Sequence, residues 1–149
     1  MNEIFDISYD EIEIIRDLWE KNRKYHEDSS EYFKELYSSI NFDERIKNFS
    51  NYPKDKIKIS IVKNKDKYIG YCISIIDDGF KGELGTLHID RTQRGKGLGK
   101  KLVEKHLKWM EGRKCQEIGV TVSQENNVAI GFYKKLGFFP NTLYMQKKI

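Results

Sequence analysis

Apolar and polar positions alternate over residues 3–7, the period-two pattern of a short strand. The period then lengthens. Ile12, Ile15, Leu18 and Trp19 recur at helical spacing behind Ser8-Tyr9-Asp10-Glu11, which has the form of a capping box. Phe33, Leu36, Tyr37 and Ile40 repeat that arrangement behind Asp28-Ser29-Ser30-Glu31, and residues 43–49 predict one more short helix before Pro53. Ile57, Ile59 and Ile61 then alternate with Lys56, Lys58 and Ser60, a half-buried strand. Asn64-Lys65-Asp66-Lys67 reads as a hairpin turn into a long apolar strand over 68–76, and residues 77–82 turn the chain into a strand ending at Ile89.

The second half of the chain changes rhythm. Leu98, Leu102, Val103, His106 and Met110 form the apolar stripe of a helix running to about residue 110, with His106 a packed or partly exposed member of the stripe. Residues 117–123 alternate as a strand. Asn126 opens a helix carrying Ala129, Ile130, Phe132, Tyr133 and Leu136, closed by Gly137 at the C-cap position. Residues 143–148 predict a last strand. From residue 84 the order is strand, glycine loop, helix, strand, helix, strand. That is an α/β arrangement, in which ligands gather where strand ends meet helix starts.

The glycine loop is Arg94-Gly95-Lys96-Gly97-Leu98-Gly99. Without a Cβ, glycine lets the backbone approach a ligand closely. The helix that follows offers N–H groups lacking intrahelical partners and the positive end of its dipole. Arg91, Arg94, Lys96, Lys100 and Lys101 add full charges, so the segment has the chemistry of a phosphate cradle. Taken alone it also fits a tight turn with a solvated basic rim. Two known phosphate loops are excluded. The P-loop requires Gly-Lys-Ser/Thr five residues after its first glycine, but Lys100 stands five after Gly95 and no Ser or Thr follows. The dinucleotide fingerprint fails at Lys100 or at Leu102, depending on which glycine begins it.

Composition narrows the class. A chain of 149 residues with 38% hydrophobic and 13% aromatic content is expected to form a single domain, residues 1–149, with a real core. A net charge of +4 suits an anionic ligand and falls short of a nucleic-acid binder, so no nucleic-acid partner is expected. No apolar run approaches the length of a membrane span and Met1 is not followed by a signal-peptide pattern, so a cytoplasmic protein without membrane attachment is expected. Cys72 and Cys115 lack metal-ligand spacing and are expected to be reduced, with Cys72 a buried structural thiol; no metal site is expected.

A second motif gives the loop a context. Asn126-Asn127-Val128-Ala129-Ile130-Gly131-Phe132-Tyr133-Lys134-Lys135-Leu136-Gly137-Phe138 follows it by about thirty residues. Together the two resemble the signature of the GNAT-type acyl-CoA N-acyltransferase superfamily: Arg/Gln-x-x-Gly-x-Gly/Ala after the fourth strand, then Asn-x-x-Ala-x-x-x-Tyr-x-x-x-Gly-Phe on a later helix. The resemblance covers the chain from about residue 57 onward; the first two helices fit the family's plan without a specific motif. It implies an α/β (α+β sandwich) fold with a mixed, mostly antiparallel central sheet of about six or seven strands flanked by helices.

The resemblance also implies roles. Gly95, Lys96, Gly97, Leu98, Gly99 and Lys100, with Arg94, would hold the CoA pyrophosphate through backbone N–H groups. Pantetheine would lie along Leu87, His88 and Ile89, with the N–H near Ile89 stabilising the oxyanion of the thioester carbonyl. Asn126 would contact the pantetheine arm while also serving as a helix cap. Tyr133 would protonate the departing sulfur, because a phenol, with an ordinary pKa of about 10 against about 8.5 for a thiol, keeps its proton at neutral pH. The base is Glu83, His88 or a water chain: strict alternation puts Glu83 with Leu87 and Ile89 and His88 opposite, and a bulge would break that parity. The implied reaction is direct acetyl transfer from acetyl-CoA to a primary amine, small-molecule or peptide, in a ternary complex. The alternative is a non-catalytic acyl-CoA-binding sensor or interaction module. Trp19, Tyr25, His26 and Tyr37 are candidates for the acceptor wall, and homodimer formation is left open.

Overall fold

The alternating segments become strands and pair in sequence order. In the computed structural model, which describes residues 2–149, β1 (Asn2–Ile7), β2 (Ile57–Asn64), β3 (Lys67–Ile76) and β4 (Lys81–Ile89) form an antiparallel ladder, and β5 (Glu117–Val120) joins the edge of β4 in parallel. The β2–β3 hairpin turns through Lys65, whose φ is 56°. β2 and β3 are covered on both faces: Ile59, Ser60, Ile61 and Val62 are all buried, so the half-exposed strand expected over 57–61 is a central one.

Helices cover both faces. On one, Ile12 and Ile15 of a 3-10 segment (Tyr9–Ile15), Leu18 and Trp19 of α1 (Arg16–Ser29), and Phe42 and Ile46 of α3 (Phe42–Lys47) pack against Ile59, Ile61, Tyr71 and Ile73. On the other, Leu98, Leu102, Val103 and Met110 of α4 (Leu98–Gly112) and Tyr133 of α5 (Asn127–Lys135) pack against Val62, Cys72, Leu84 and Ile89. Each such side chain removed from water contributes about 1.5–3 kcal/mol. α2 (Lys34–Ser38) buries nothing.

Three expectations are corrected. The sheet has five strands rather than six or seven. Residues 143–148 form no strand: instead of pairing along β5, residues 146–149 border a shallow cleft with Tyr32 and Leu36, leaving Leu143, Tyr144 and Met145 exposed. A strand exists only through its ladder, and alternation cannot supply a partner. Neither capping box forms as written. Ser8 makes no side-chain cap and the chain enters through a 3-10 turn, while α1 runs to Ser29 and Ser30 Oγ accepts from the Phe33 N–H at 2.9 Å.

One polar chain crosses the α4-facing core. His106 is fully buried; its Nε2 lies 2.9 Å from Ser60 Oγ and its Nδ1 2.7 Å from Ser74 Oγ. Ser60 Oγ donates to Asp6 at 2.5 Å, since an ionised carboxylate only accepts. Ser60 therefore accepts from Nε2–H of His106, and the bare Nδ1 accepts from the Ser74 hydroxyl. Burial, and next Lys58, push His106 down to about 3 and keep it neutral. Burial raises the Asp6 carboxyl, but hydrogen bonds from Lys58, Ser60 and Lys105 bring it down to about 2.

A depressed folded-state pKa makes the contribution of His106 complete above its ordinary 6.5 and lost as pH falls toward 3. His106→Leu leaves two buried hydroxyls short of a partner and is expected to cost about 2 kcal/mol in urea unfolding at pH 7. The gap between wild type and variant narrows at pH 4.5; a gap that is constant or widens there contradicts the neutral assignment.

Candidate active site

The site begins where two strands part. β4 and β5 pair from Lys81–Glu117 to Leu84–Val120, and there the pairing ends while β4 continues to Ile89. Against β3, Ile73 faces Thr86 and Ser74 faces Leu84, so Gly85 is an extra residue in the ladder. A bulge bends its strand and increases local twist. Gly85 suits it: a Cβ there would stand 3.2 Å from Phe49 and 3.3 Å from the Ile73 carbonyl. The edge of β4 over residues 85–89 thus has no strand beside it.

The bulge also resets which side chains share a face. Leu84, Leu87 and Ile89 belong to the α4-facing core. Thr86 lies opposite Ile73 and His88 opposite Tyr71, on the α1-facing side, and the Tyr71 hydroxyl meets Thr86 Oγ1 at 2.9 Å. Glu83, opposite Ile75, joins Thr86 and His88 on that side. Strict alternation had put Glu83 with Leu87 and Ile89; the extra residue reverses this. Gly85 is the functional position that sequence reading passed over, although a lone glycine inside a strand pattern is a bulge signal.

β4 leads through a 3-10 turn (Arg91–Gln93) into the glycine loop. Gly95 and Gly97 have φ of 81° and 78°, and a Cβ at either would meet no atom within 4 Å. These positions need glycine for their backbone, and the loop faces open space. Gly97 is the N-cap of α4 and contributes no side-chain cap. Lys101 N–H makes the first helical bond, to Gly97 O at 3.1 Å, so the N–H groups of Leu98, Gly99 and Lys100 have no intrahelical partner. A fifteen-residue helix directs its positive end there. This fits a diphosphate.

The basic side chains of the loop are partly spoken for. Arg94 Nε donates to Ile89 O at 2.9 Å and its guanidinium lies 5.6 Å from the Tyr25 ring centroid, fastening the loop to α1. Lys96 donates to Gln93 Oε1 at 3.0 Å, and Lys100 sits 3.8 Å from Glu104. The loop meets an anion with backbone N–H groups first.

On the α4-facing side Tyr133 is buried, edge-on to Phe132 at 5.0 Å and to Phe138 at 5.7 Å, and burial raises its phenol above the ordinary value. Asn126 Oδ1 accepts from the Ala129 N–H at 3.1 Å, the N-cap of α5. Tyr133 and Glu83 therefore flank β4 from opposite faces. Of the acceptor-wall candidates, Trp19 is buried edge-on to Phe42 at 5.4 Å and belongs to the core. His26 stacks on Tyr37 at 5.6 Å and meets Tyr25 at 5.5 Å, beside the end of β4. Among the described residues no group of three or more His, Cys, Asp or Glu is placed to hold a metal ion, and no helix is long and apolar enough to cross a membrane.

Residues 16–138 match the model of the acetyltransferase (GNAT) family, and the chain belongs to it. It is 38% identical over 58 residues to N-alpha-acetyltransferase 30 of Saccharomyces cerevisiae, covering 39% of this chain and 33% of the relative. It is 36% identical over 78 residues to the peptidyl-lysine N-acetyltransferase YjaB of Salmonella typhimurium, covering 52% and 46%. The chain thus spans less than half the length of either. A putative acetyl transferase from Pyrococcus furiosus shares the fold across 100% of both chains, with a TM-score of 0.72 and 20% identity.

Gly97→Ala forces a left-handed backbone on a residue with a Cβ, at a cost of roughly 1–2 kcal/mol. Chemical denaturation is expected to show that loss although the methyl group meets empty space; an unchanged midpoint contradicts the backbone argument.

Proposed function

We propose that the chain transfers the acetyl group of acetyl-CoA directly to a primary amine while both are bound. The observation that carries this reading is the β4 edge over residues 85–89, which no strand covers and which leads to the N–H groups at the start of α4 that have no intrahelical partner. In this reading the loop residues Gly95 to Lys100 receive the pyrophosphate. The β4 edge at Leu87, His88 and Ile89 hydrogen-bonds the pantetheine arm, and a main-chain N–H near Ile89 stabilises negative charge gathering on the thioester oxygen. Asn126 keeps its amide N–H groups for the same arm.

The chemistry then divides across the strand. As the amine nitrogen bonds to the carbonyl carbon, Glu83 accepts the proton that nitrogen sheds, directly or through water. As the carbon–sulfur bond breaks, the Tyr133 hydroxyl donates to sulfur. Burial raises the Tyr133 phenol, so it is protonated at neutral pH and holds a proton to give. Donor and acceptor approaching from opposite sides is what a ternary complex requires, and holding them together supplies much of the rate. No covalent enzyme intermediate is needed: Cys72 is buried, and burial pushes its thiol up to about 12. The relatives' names point to different acceptors, a protein N-terminus in one and a lysine side chain in the other. The acceptor of this chain must be read from its own residues.

Acetyl-CoA with a panel of amines, followed by release of free thiol, tests the reading. Tyr133→Phe is expected to lower kcat by about 10²-fold, the lower end for a general acid, while leaving CoA affinity unchanged in calorimetry. Glu83→Gln is expected to lose activity at pH 7 and to regain much of it at pH 9.5, where amines deprotonate without help. No thiol release with any amine, or full turnover by Tyr133→Phe, overturns it.

A further inference from the structure

Among the described residues, His88 carries the buried side-chain polar atom that has no hydrogen-bond partner. Its residue is 5% exposed, and Nε2 is buried without any hydrogen-bond partner among the described residues. The contrast with His106 is direct: that ring, also buried, has both nitrogens engaged. Buried polar atoms are almost always partnered, and an orphan at a candidate site is the place for a ligand atom. The position is specific. The bulge at Gly85 turns His88 to the α1-facing side, with Thr86 and Glu83, while its backbone stays between Leu87 and Ile89 on the free edge.

Charged and titratable groups surround the ring from each neighbouring element. α1 contributes Lys21 and His26, β3 the Tyr71 ring at 6.4 Å, and the segment that follows β4 Asp90 and Arg94. Asp90 is already engaged by Lys21 at 3.7 Å and Lys67 at 3.5 Å. Burial first, and Arg94 next, push His88 down to about 4, so the ring is neutral at pH 7. An incoming ammonium meets the same enclosure and the same cations. The surroundings favour an amine that arrives uncharged.

We infer that the acceptor is an α-amino group rather than a lysine side chain, and that its nitrogen is received by Nε2 of His88. This rests on the acetyl-transfer reading above and names its substrate class. The acceptor binds as a neutral amine, its nitrogen bonds to the acetyl carbon, the proton it then sheds passes to Glu83, and Tyr133 supplies the proton that leaves with sulfur. The selectivity has a size. With pKa near 8 about one α-amine in ten is neutral at pH 7, against roughly one lysine ε-amine in 2,500, a ratio of about 250.

The test is a peptide with a free N-terminus and one internal lysine, incubated with acetyl-CoA at pH 7, the acetyl group located by fragment mass spectrometry. The N-terminal nitrogen is expected to react at least about 100-fold faster than the lysine, close to the ratio of neutral forms. His88→Leu is expected to raise KM for the peptide about tenfold, the loss of roughly one good hydrogen bond, with KM for acetyl-CoA unmoved. His88→Gln, which keeps a polar group at that reach, is expected to restore most of it. Independently of turnover, glycinamide added to the protein is expected to shift the ring-nitrogen NMR signal of His88. Acetylation at lysine, equal rates at both nitrogens, or an unmoved His88 signal overturns the inference. A shifted His88 signal with no acetyl transfer to either amine supports the amine site and overturns the acetyl-transfer reading instead.

Discussion

The parallel pairing of β4 with β5 stops after Leu84 and Val120, and the candidate site is a consequence of that stop. β5 covers about half of the β4 edge, the bulge at Gly85 follows one residue later, and no strand covers the rest. The same bulge sets Glu83, Thr86 and His88 on one side of the strand and leaves Leu87 and Ile89 on the other. One extra residue thus sorts the side chains along the uncovered stretch of the strand.

The sheet around this opening is packed on both faces. β2 and β3 are buried between the α1–α3 layer and α4, and the Asp6–Ser60–His106–Ser74 chain ties strand to helix without an unpaired atom. Hydrogen-bond satisfaction in the interior is what gives the orphaned Nε2 of His88 its meaning: it stands out against a background in which buried polar groups have been accounted for. The tie from Arg94 to Ile89 O and Tyr25 fastens the loop to both the strand end and α1.

Much of this was legible in the sequence, for identifiable reasons. The stripe Leu98, Leu102, Val103, His106 and Met110 is buried at every position, because helical periodicity reports a packed face directly. Gly95 and Gly97 were legible as backbone positions, since only glycine accepts such φ values readily. Strand parity beyond Gly85 was not, because one inserted residue inverts every later side chain and alternation cannot say where the insertion falls. The strand expected over 143–148 failed for a related reason: pairing is a property of two segments, and the sequence displays one at a time. Ser8 was offered as a cap by the Ser8-to-Glu11 pattern, but the chain passes through a 3-10 segment over Tyr9–Ile15 and Ser8 makes no side-chain cap.

The central claim is that the β4 edge beyond the bulge and the N–H groups of the glycine loop together bind acetyl-CoA. Amide hydrogen exchange on the protein with and without CoA tests it most directly. The account predicts that protection rises at residues 86–89 and 95–100, with little change in β1, β2 or the polar cleft bordered by Asn48, Tyr52 and Asp78. Protection confined to that cleft, or absent from residues 86–89, would contradict it.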